Sequence, residues 1–499
     1  MLEKYCDILV IGNELPGLIT AAFLARRGLS VQVIDSDLFA DHDKLPDPVC
    51  LCNLHSKLLR SILGRLNCPE VTIQNFLNKE SNLQFIFPQN RIDIFNNPLN
   101  YFDEIEREFT DFKEQIKKFY ENQAKLRHQT DINELFQQLI PSGWKAKRLF
   151  KKFIQEQQLN DKNDEFESLS NLDNRIKHFL KAQFLMAYQK FCDKPFDFQV
   201  SELFNPGDGE IFSVQSGIKN LKSILKDRIT NYDGVVKDKV QIKNLLFRNG
   251  IFEGAELDET HGKILSKYVI WNDSLGKMGH LLPNKFRFRK LRKKCQEKHF
   301  NHHWFTARFT VDSKYIPEQM KSNLLIINDT KKDLVADNFY YLQVNKNKSS
   351  TATINVNFLL SSDALEKSDD YFSPFFNKIE QRLIELLPFS ENSLKLEFPI
   401  KNDDQPVDTL FPLNEDEFKI FKHSASINGV SQQDNELFLD LFKIHYKTEA
   451  PNLYISHPVI FSAFGIESKL ILGLKITDLI WHEVEKSKRR AMKTERRVA

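Results

Sequence analysis

The sequence lacks the short residue patterns that mark hydrolases, nucleotide triphosphatases and metal centres. No Ser-His-Asp order, no H-E-x-x-H and no Walker glycine-lysine loop is present, so hydrolase and NTPase readings have no support. Cysteine is scarce. The six (Cys6, Cys50, Cys52, Cys68, Cys192 and Cys295) form no C-x-x-C pair and no metal-ligand spacing, and reduced, mostly buried thiols in a cytoplasmic protein are expected. An excess of one charge is also missing: 70 Lys plus Arg face 68 Asp plus Glu, which leaves no overall field to draw in nucleic acid. The N-terminus has no basic region followed by a long apolar stretch and a small-residue cleavage site, so export is not expected. Long apolar runs are absent too. The tract from Val459 to Ile480 is broken by Glu467, Lys469, Lys475 and Asp478, and no transmembrane helix is expected. There is no internal repeat and no low-complexity linker.

What is present is length. A chain of 499 residues exceeds one core and predicts two or three domains, each large enough for a packed interior. The 42 Phe residues come with abundant Lys, Asn and Ile, a pattern of coding bias that carries little functional weight.

The order of patterns then suggests an α/β organisation. Residues 6–12 form an apolar run ending at Gly12, residues 16–27 carry helical apolar spacing, and Leu29 to Ile34 read as a second buried strand closing at Asp35. Together they make a βαβ unit of the expected length, about 30 residues. Segments 103–127, 131–139, 145–158 and 175–191 read as helices of a cap, and 210–275 as a helix followed by strands with turns at Asn249-Gly250 and His261-Gly262. Period-2 strands at 304–312, 323–328, 338–345 and 351–360 predict a largely antiparallel sheet. The expected layout is a dinucleotide-binding domain built from 1–97, 205–275 and 450–485, a helical cap at 98–200, an antiparallel-sheet substrate domain at 285–445, and a basic tail at 486–499.

The first turn reads Gly12-Asn13-Glu14-Leu15-Pro16-Gly17, with Asp35 at the end of the next strand. Gly12 permits a tight strand-to-helix turn, Gly17 allows close helix packing, and an acid at Asp35 suits ribose hydroxyls. Three later segments stand in matching order: Phe212 to Leu225 around Gly217; Gly234 through Val240, Gly254 and Tyr268 to Asn272; and Asn452 to Ile455 with Gly465 to Ile480. On these motifs the chain resembles the FAD-dependent phytoene desaturases and carotenoid isomerases of the amine oxidase superfamily, over nearly its whole length. The resemblance implies a Rossmann-like FAD/NAD(P)-binding domain, an antiparallel-sheet substrate domain and a helical cap. It implies a cofactor site at Gly12, Glu14, Leu15, Pro16, Gly17, Asp35 and Ser36, with Val240 beside the adenine and Gly465, Ile466 and Glu467 near the flavin. It further implies oxidoreduction of a large apolar substrate, isoprenoid or carotenoid in kind, with the cofactor carrying the chemistry. No catalytic side chain and no metal ligand is singled out.

Three departures from that family stand beside the match. Glu14 replaces the middle glycine, the chain after Asp35 reads Ser36-Asp37-Leu38-Phe39 with Asp41 and Asp43 following in place of a Gly-Gly-Arg-like segment, and His457-Pro458 replaces a Gly-Asp. A glutamate there obstructs and repels a pyrophosphate, and its carboxylate could itself take the anion position at the helix N-terminus. Two readings stay open: an FAD enzyme, and a non-catalytic protein of the same fold that binds a lipid or protein partner, as the Rab GDP-dissociation inhibitors do. The tail from Lys486 to Arg497 is polybasic. It is either a frayed, solvated end or a peripheral contact to an anionic membrane. His302-His303 read as a turn entering the sheet rather than a metal pair, since neighbours on a strand face opposite ways.

Overall fold

The computed structural model describes residues 4–36, 53–78, 83–95, 98–127, 144–204, 213–214, 217–297, 300–346, 350–399, 413–432, 448 and 450–498. The expected 131–139 helix, the acidic run from Asp37, Cys50, Cys52 and the turn residues Phe212, Gln215 and Ser216 lie outside the described residues.

The first sheet grows from the N-terminus. Strand Lys4–Ile11 is buried from Ile8 onward, as a continuous apolar run demands of a central strand. The chain turns at Gly12 into helix Leu15–Arg26, passes Gly28 in the left-handed region, and returns as strand Val31–Ile34. That strand lies parallel to the first, with Ile8 opposite Val31 and Ile11 opposite Ile34. Strand Val235–Lys237 adds outside it and strand Lys263–Trp271 adds on the other side, all parallel. A hairpin, Ile242–Arg248 and Ile251–Leu257, extends the sheet antiparallel. Its two turn residues, Asn249 and Gly250, both have positive φ (51° and 77°), the geometry that Asn-Gly supplies in tight hairpins. Strand Leu453–Ile455 pairs parallel with the second half of Lys263–Trp271. One sheet thus collects strands from three distant stretches of chain.

Among the described residues the second sheet has nine strands. Its centre is antiparallel: Asn323–Ile327, Phe339–Lys346, Thr351–Ser361 and His302–Asp312, in that order. Strands Leu83–Ile86 and Arg91–Ile94 fall within the 1–97 stretch expected to serve the dinucleotide unit, yet they extend this second sheet, Leu83–Ile86 running parallel to Asn323–Ile327. Phe85 and Ile92 account for it, since they bury against the helices that follow. Helices Pro98–Glu108, Lys113–Arg127, Asp164–Ser170 and Asn174–Tyr188 cover one face of the sheet, and Ser373–Leu386 with Glu415–Ile427 cover the other. Helix Trp144–Glu156 departs from the expected cap, because Phe150, Phe153 and Ile154 pack into the core of the first sheet.

Two boundaries differ from expectation. The strand expected to begin at residue 304 begins at His302, and His303 is buried with its Nδ1 3.0 Å from the Ala425 carbonyl. The last helix runs from Ile466 to Val498, straight through the boundary placed at 486. No Gly or Pro follows Gly473, and the Lys, Arg, Glu and Ala of the tail are all strong helix formers. No helix among the described residues is long and apolar enough to cross a membrane.

Candidate functional site

The turn after the first strand is built around the side chain of Asn272, which ends the parallel neighbour Lys263–Trp271. Its Nδ2 donates to the Glu14 carbonyl at 2.6 Å and to the Gly12 carbonyl at 3.3 Å. Its Oδ1 accepts from the Gly17 amide at 2.9 Å and from the Ser456 hydroxyl at 2.8 Å. Gly12 has φ +111°, and a Cβ there would lie 2.3 Å from the Asn272 carbonyl oxygen; a Cβ on Gly17 would lie 2.2 Å from Asn272 Cγ. Both fingerprint glycines are therefore required by Asn272 itself, with no need to invoke a ligand.

A pyrophosphate at a helix N-terminus is held by free backbone amides. Here Pro16 has none to give, the Gly17 amide is bonded to Asn272, and the Leu18 amide makes the first helical bond to the Glu14 carbonyl at 3.2 Å. Leu15 is wholly buried in the core.

Glu14 occupies the N-cap position in extended conformation (φ −80°, ψ 153°), but its side chain makes no cap hydrogen bond. The expectation that it would fill the helix's own anion position is corrected here: its carboxylate turns to Lys222, 3.0 Å away, and to Lys469 at 3.9 Å. Burial pushes this carboxyl up, yet Lys222, then Lys469 and more distantly His457 outweigh it and hold the pKa down at about 2. The group is an ionised member of an internal salt cluster, with its side chain 23% exposed.

Asp35 and Val240 are brought together through the Val240 amide and the Asp35 carbonyl at 3.0 Å. The carboxylate of Asp35, however, is 1% exposed and faces Lys226 at 3.4 Å, which also binds Asp238 at 2.6 Å. Lys222 and Lys226 lie one turn apart on helix Gly217–Asn231, so a single helix face answers both acids of the fingerprint. Ser36 donates to Asp273 Oδ2 at 2.6 Å, and Lys277 reaches the same oxygen at 3.1 Å.

On the C-terminal side, Gly465 adopts φ +56°, and a Cβ there would lie 2.2 Å from the Ala187 carbonyl oxygen at the end of helix Asn174–Tyr188. It serves a contact between protein elements. Ile466 and Glu467 are both buried. The Phe464 amide donates to Ser468 Oγ at 2.8 Å and the Glu467 amide to the Phe464 carbonyl at 3.1 Å, so two amides at the entry to this helix have partners within the chain. Lys469 carries the helix into the Glu14 cluster.

Sequence reasoning missed Lys222, Lys226, Lys469, Asp273 and Lys277. The one available signal was the i, i+4 spacing of Lys222 and Lys226 on the helix after Gly217, which mirrors the acids at Glu14 and Asp35.

FAD would need amides free at the first turn, room beside position 14 and an acid open to its ribose. Here the Gly17 amide is bonded to Asn272, Glu14 lies between Lys222 and Lys469, and the Asp35 carboxylate faces Lys226, so these three groups must leave their present partners before the adenosine diphosphate half of FAD can sit here.

No family model and no curated protein matches the sequence. Solved structures do. A putrescine oxidase with redesigned cofactor binding is 13% identical with a TM-score of 0.56, covering 97% of this chain and 100% of its own. An oxidoreductase from Methanosarcina mazei is 12% identical, also with a TM-score of 0.56, over 95% of this chain and 100% of its own. Putrescine oxidase bound to putrescine is 12% identical, with a TM-score of 0.52 over 96% and 100%. The chain has the α/β fold of the FAD-binding, Rossmann-like oxidoreductases.

Proposed function

We propose that this chain is a non-catalytic member of the flavoprotein fold, a protein that works by binding a partner without FAD, in the manner of the Rab GDP-dissociation inhibitors. The observation that carries this reading is the internal occupation of the diphosphate site: Glu14 held between Lys222 and Lys469, and the Gly17 amide held by Asn272. An incoming pyrophosphate would meet a fixed negative charge, and the two lysines that could compensate it are already matched.

The other reading is an FAD-dependent oxidoreductase resembling phytoene desaturases, acting on a large apolar, isoprenoid-like or carotenoid-like substrate. What favours it is the oxidoreductase fold along the whole chain together with Gly12, Gly17 and Asp35 in place. It requires Glu14 and Lys226 to leave their partners before FAD could enter.

The deciding experiment is the absorbance spectrum of the purified protein, followed by titration of FAD against flavin fluorescence and thermal stability. We expect a colourless protein whose midpoint FAD does not raise. Flavin absorbance near ~450 nm in the purified protein, or stabilisation that grows with FAD concentration, would establish the enzyme reading instead. Glu14→Gly sharpens the comparison, because FAD stabilising only that variant would show that Glu14 closes the site.

A further inference from the structure

Away from the dinucleotide turn, the strongest surface feature is a basic patch with exposed apolar tips. Residues 274–296 contain no Asp or Glu, and seven of the ten residues from Lys285 to Lys294 are Lys or Arg. Within this stretch the helix Arg289–Cys295 is anchored from below: Leu291 and Cys295 are buried, and Phe288, just before it, packs its ring 4.9 Å from Phe247 of the first sheet's hairpin. What remains outward is cationic, with Arg289, Lys290 and Lys293 exposed. Phe286 stands among these charges at 89% exposure.

Helix Trp144–Glu156 is built the same way. Phe150, Phe153 and Ile154 are buried, its outer face carries Lys145, Arg148, Lys151 and Lys152, and Leu149 is 66% exposed. Its one acid is Glu156, paired to Lys152 at 3.1 Å. Both helices bury their undersides in one core cluster, to which Phe150, Phe153, Ile154, Phe288, Leu291 and Cys295 all belong, and Lys147 is held below the ordinary lysine range by burial and by the like charge of Lys294.

Two helices rooted in one core, with outward cations, an exposed leucine on one and an exposed phenylalanine just before the other, are the features of a surface that lies on a charged interface. We propose that this patch docks the protein on an anionic phospholipid bilayer, the cations facing the headgroups and Phe286 and Leu149 entering the acyl boundary. A nucleic acid would match the charge but would gain nothing from an exposed leucine, which favours lipid. The inference is independent of whether FAD binds, and it uses a different surface from the basic tail.

The test is co-sedimentation of the full-length protein with vesicles of phosphatidylcholine alone and of phosphatidylcholine with 30 mol% phosphatidylserine, at roughly 0.1 M salt. Binding is expected only to the anionic vesicles. Each cation near such a surface contributes about fivefold to partitioning, so the combined Arg289→Glu, Lys290→Glu and Lys293→Glu variant should lose about 100-fold or more. Phe286→Ser should lose several-fold even with all charges kept. All four positions are exposed, and an unchanged thermal midpoint confirms that the fold is intact. A tail variant, Lys488→Glu, Arg489→Glu and Arg490→Glu, separates the two basic surfaces. The proposal fails if the protein ignores anionic vesicles, if it binds a mixed-sequence oligonucleotide in preference to them, or if the tail variant loses binding while the triple patch variant stays within threefold of the unmodified protein.

Discussion

Glu14 and Asn272 decide what the first turn can do, and both can be tested by single substitutions. The Glu14 carboxyl has its pKa held from an ordinary 4.5 down to about 2 in the folded chain. A depressed carboxylate contributes stability that is fully present above its unfolded value and is lost as pH falls through its folded value, here between about 4.5 and 2. The contribution is on the order of 3 kcal/mol at most. Glu14→Gln should therefore lower stability at neutral pH and flatten the acid limb of an unfolding curve followed by circular dichroism; an unchanged acid limb would mean that the lysine pairing does not persist in solution. Asn272→Ala would leave the Gly17 amide without its partner in a buried turn and would take one of two donors from the Glu14 carbonyl. A loss of about 2–3 kcal/mol in urea unfolding, with an unchanged slope, is expected. The glycines at 12 and 17 were legible in the sequence, but their reason was not. A fingerprint glycine looks the same whether a phosphate or an asparagine from 255 residues away presses against it, and only the pairing of strands brings Asn272 there.

At the scale of elements, the apolar periodicity located helices Leu15–Arg26, Asn174–Tyr188 and Gly217–Asn231 and the central strands of the second sheet to within a few residues, because each buries one face or two, and it missed Asn53–Arg65, Asp164–Ser170 and Glu415–Ile427. It failed where assignment depended on which core receives that face. Leu83–Ile86 reads as a short buried strand anywhere, and its parallel register with Asn323–Ile327 is a long-range choice. Helix Trp144–Glu156 has the same amphipathic spacing as the cap helices yet turns toward the other core. The C-terminal helix offers the clearest test. Val484 is its last buried residue among those whose burial is described, and the residues from Lys488 to Met492 are exposed. Ending the chain after Glu485 should change the unfolding free energy by no more than about 0.5 kcal/mol, while Gly473→Leu, nearer its start, should cost several times that. A Cβ at Gly473 would already sit 2.7 Å from the Pro16 carbonyl oxygen, where the two helices touch through the Thr20 hydroxyl and the Gly473 carbonyl at 2.9 Å. Chemical denaturation of the two variants side by side checks both.

For the whole molecule, the provenance of the first sheet has a consequence during synthesis. Its strands come from residues 4–34, 235–271 and 453–455, and the helix that covers Leu15–Arg26 begins at Ile466. Until the residues from Ile466 onward have left the ribosome, Leu18, Ile19 and their neighbours lack the cover of that helix, and until Leu453–Ile455 has emerged, the outer half of Lys263–Trp271 is an open edge. At about 5–20 residues per second, the 440 residues from Arg26 to Ile466 leave that helix without this cover for tens of seconds, and the 182 from Trp271 to Leu453 leave the edge open for about 10–40 s. Over that interval the nascent chain presents an unpaired strand edge and apolar helix surface, the features that holding chaperones bind.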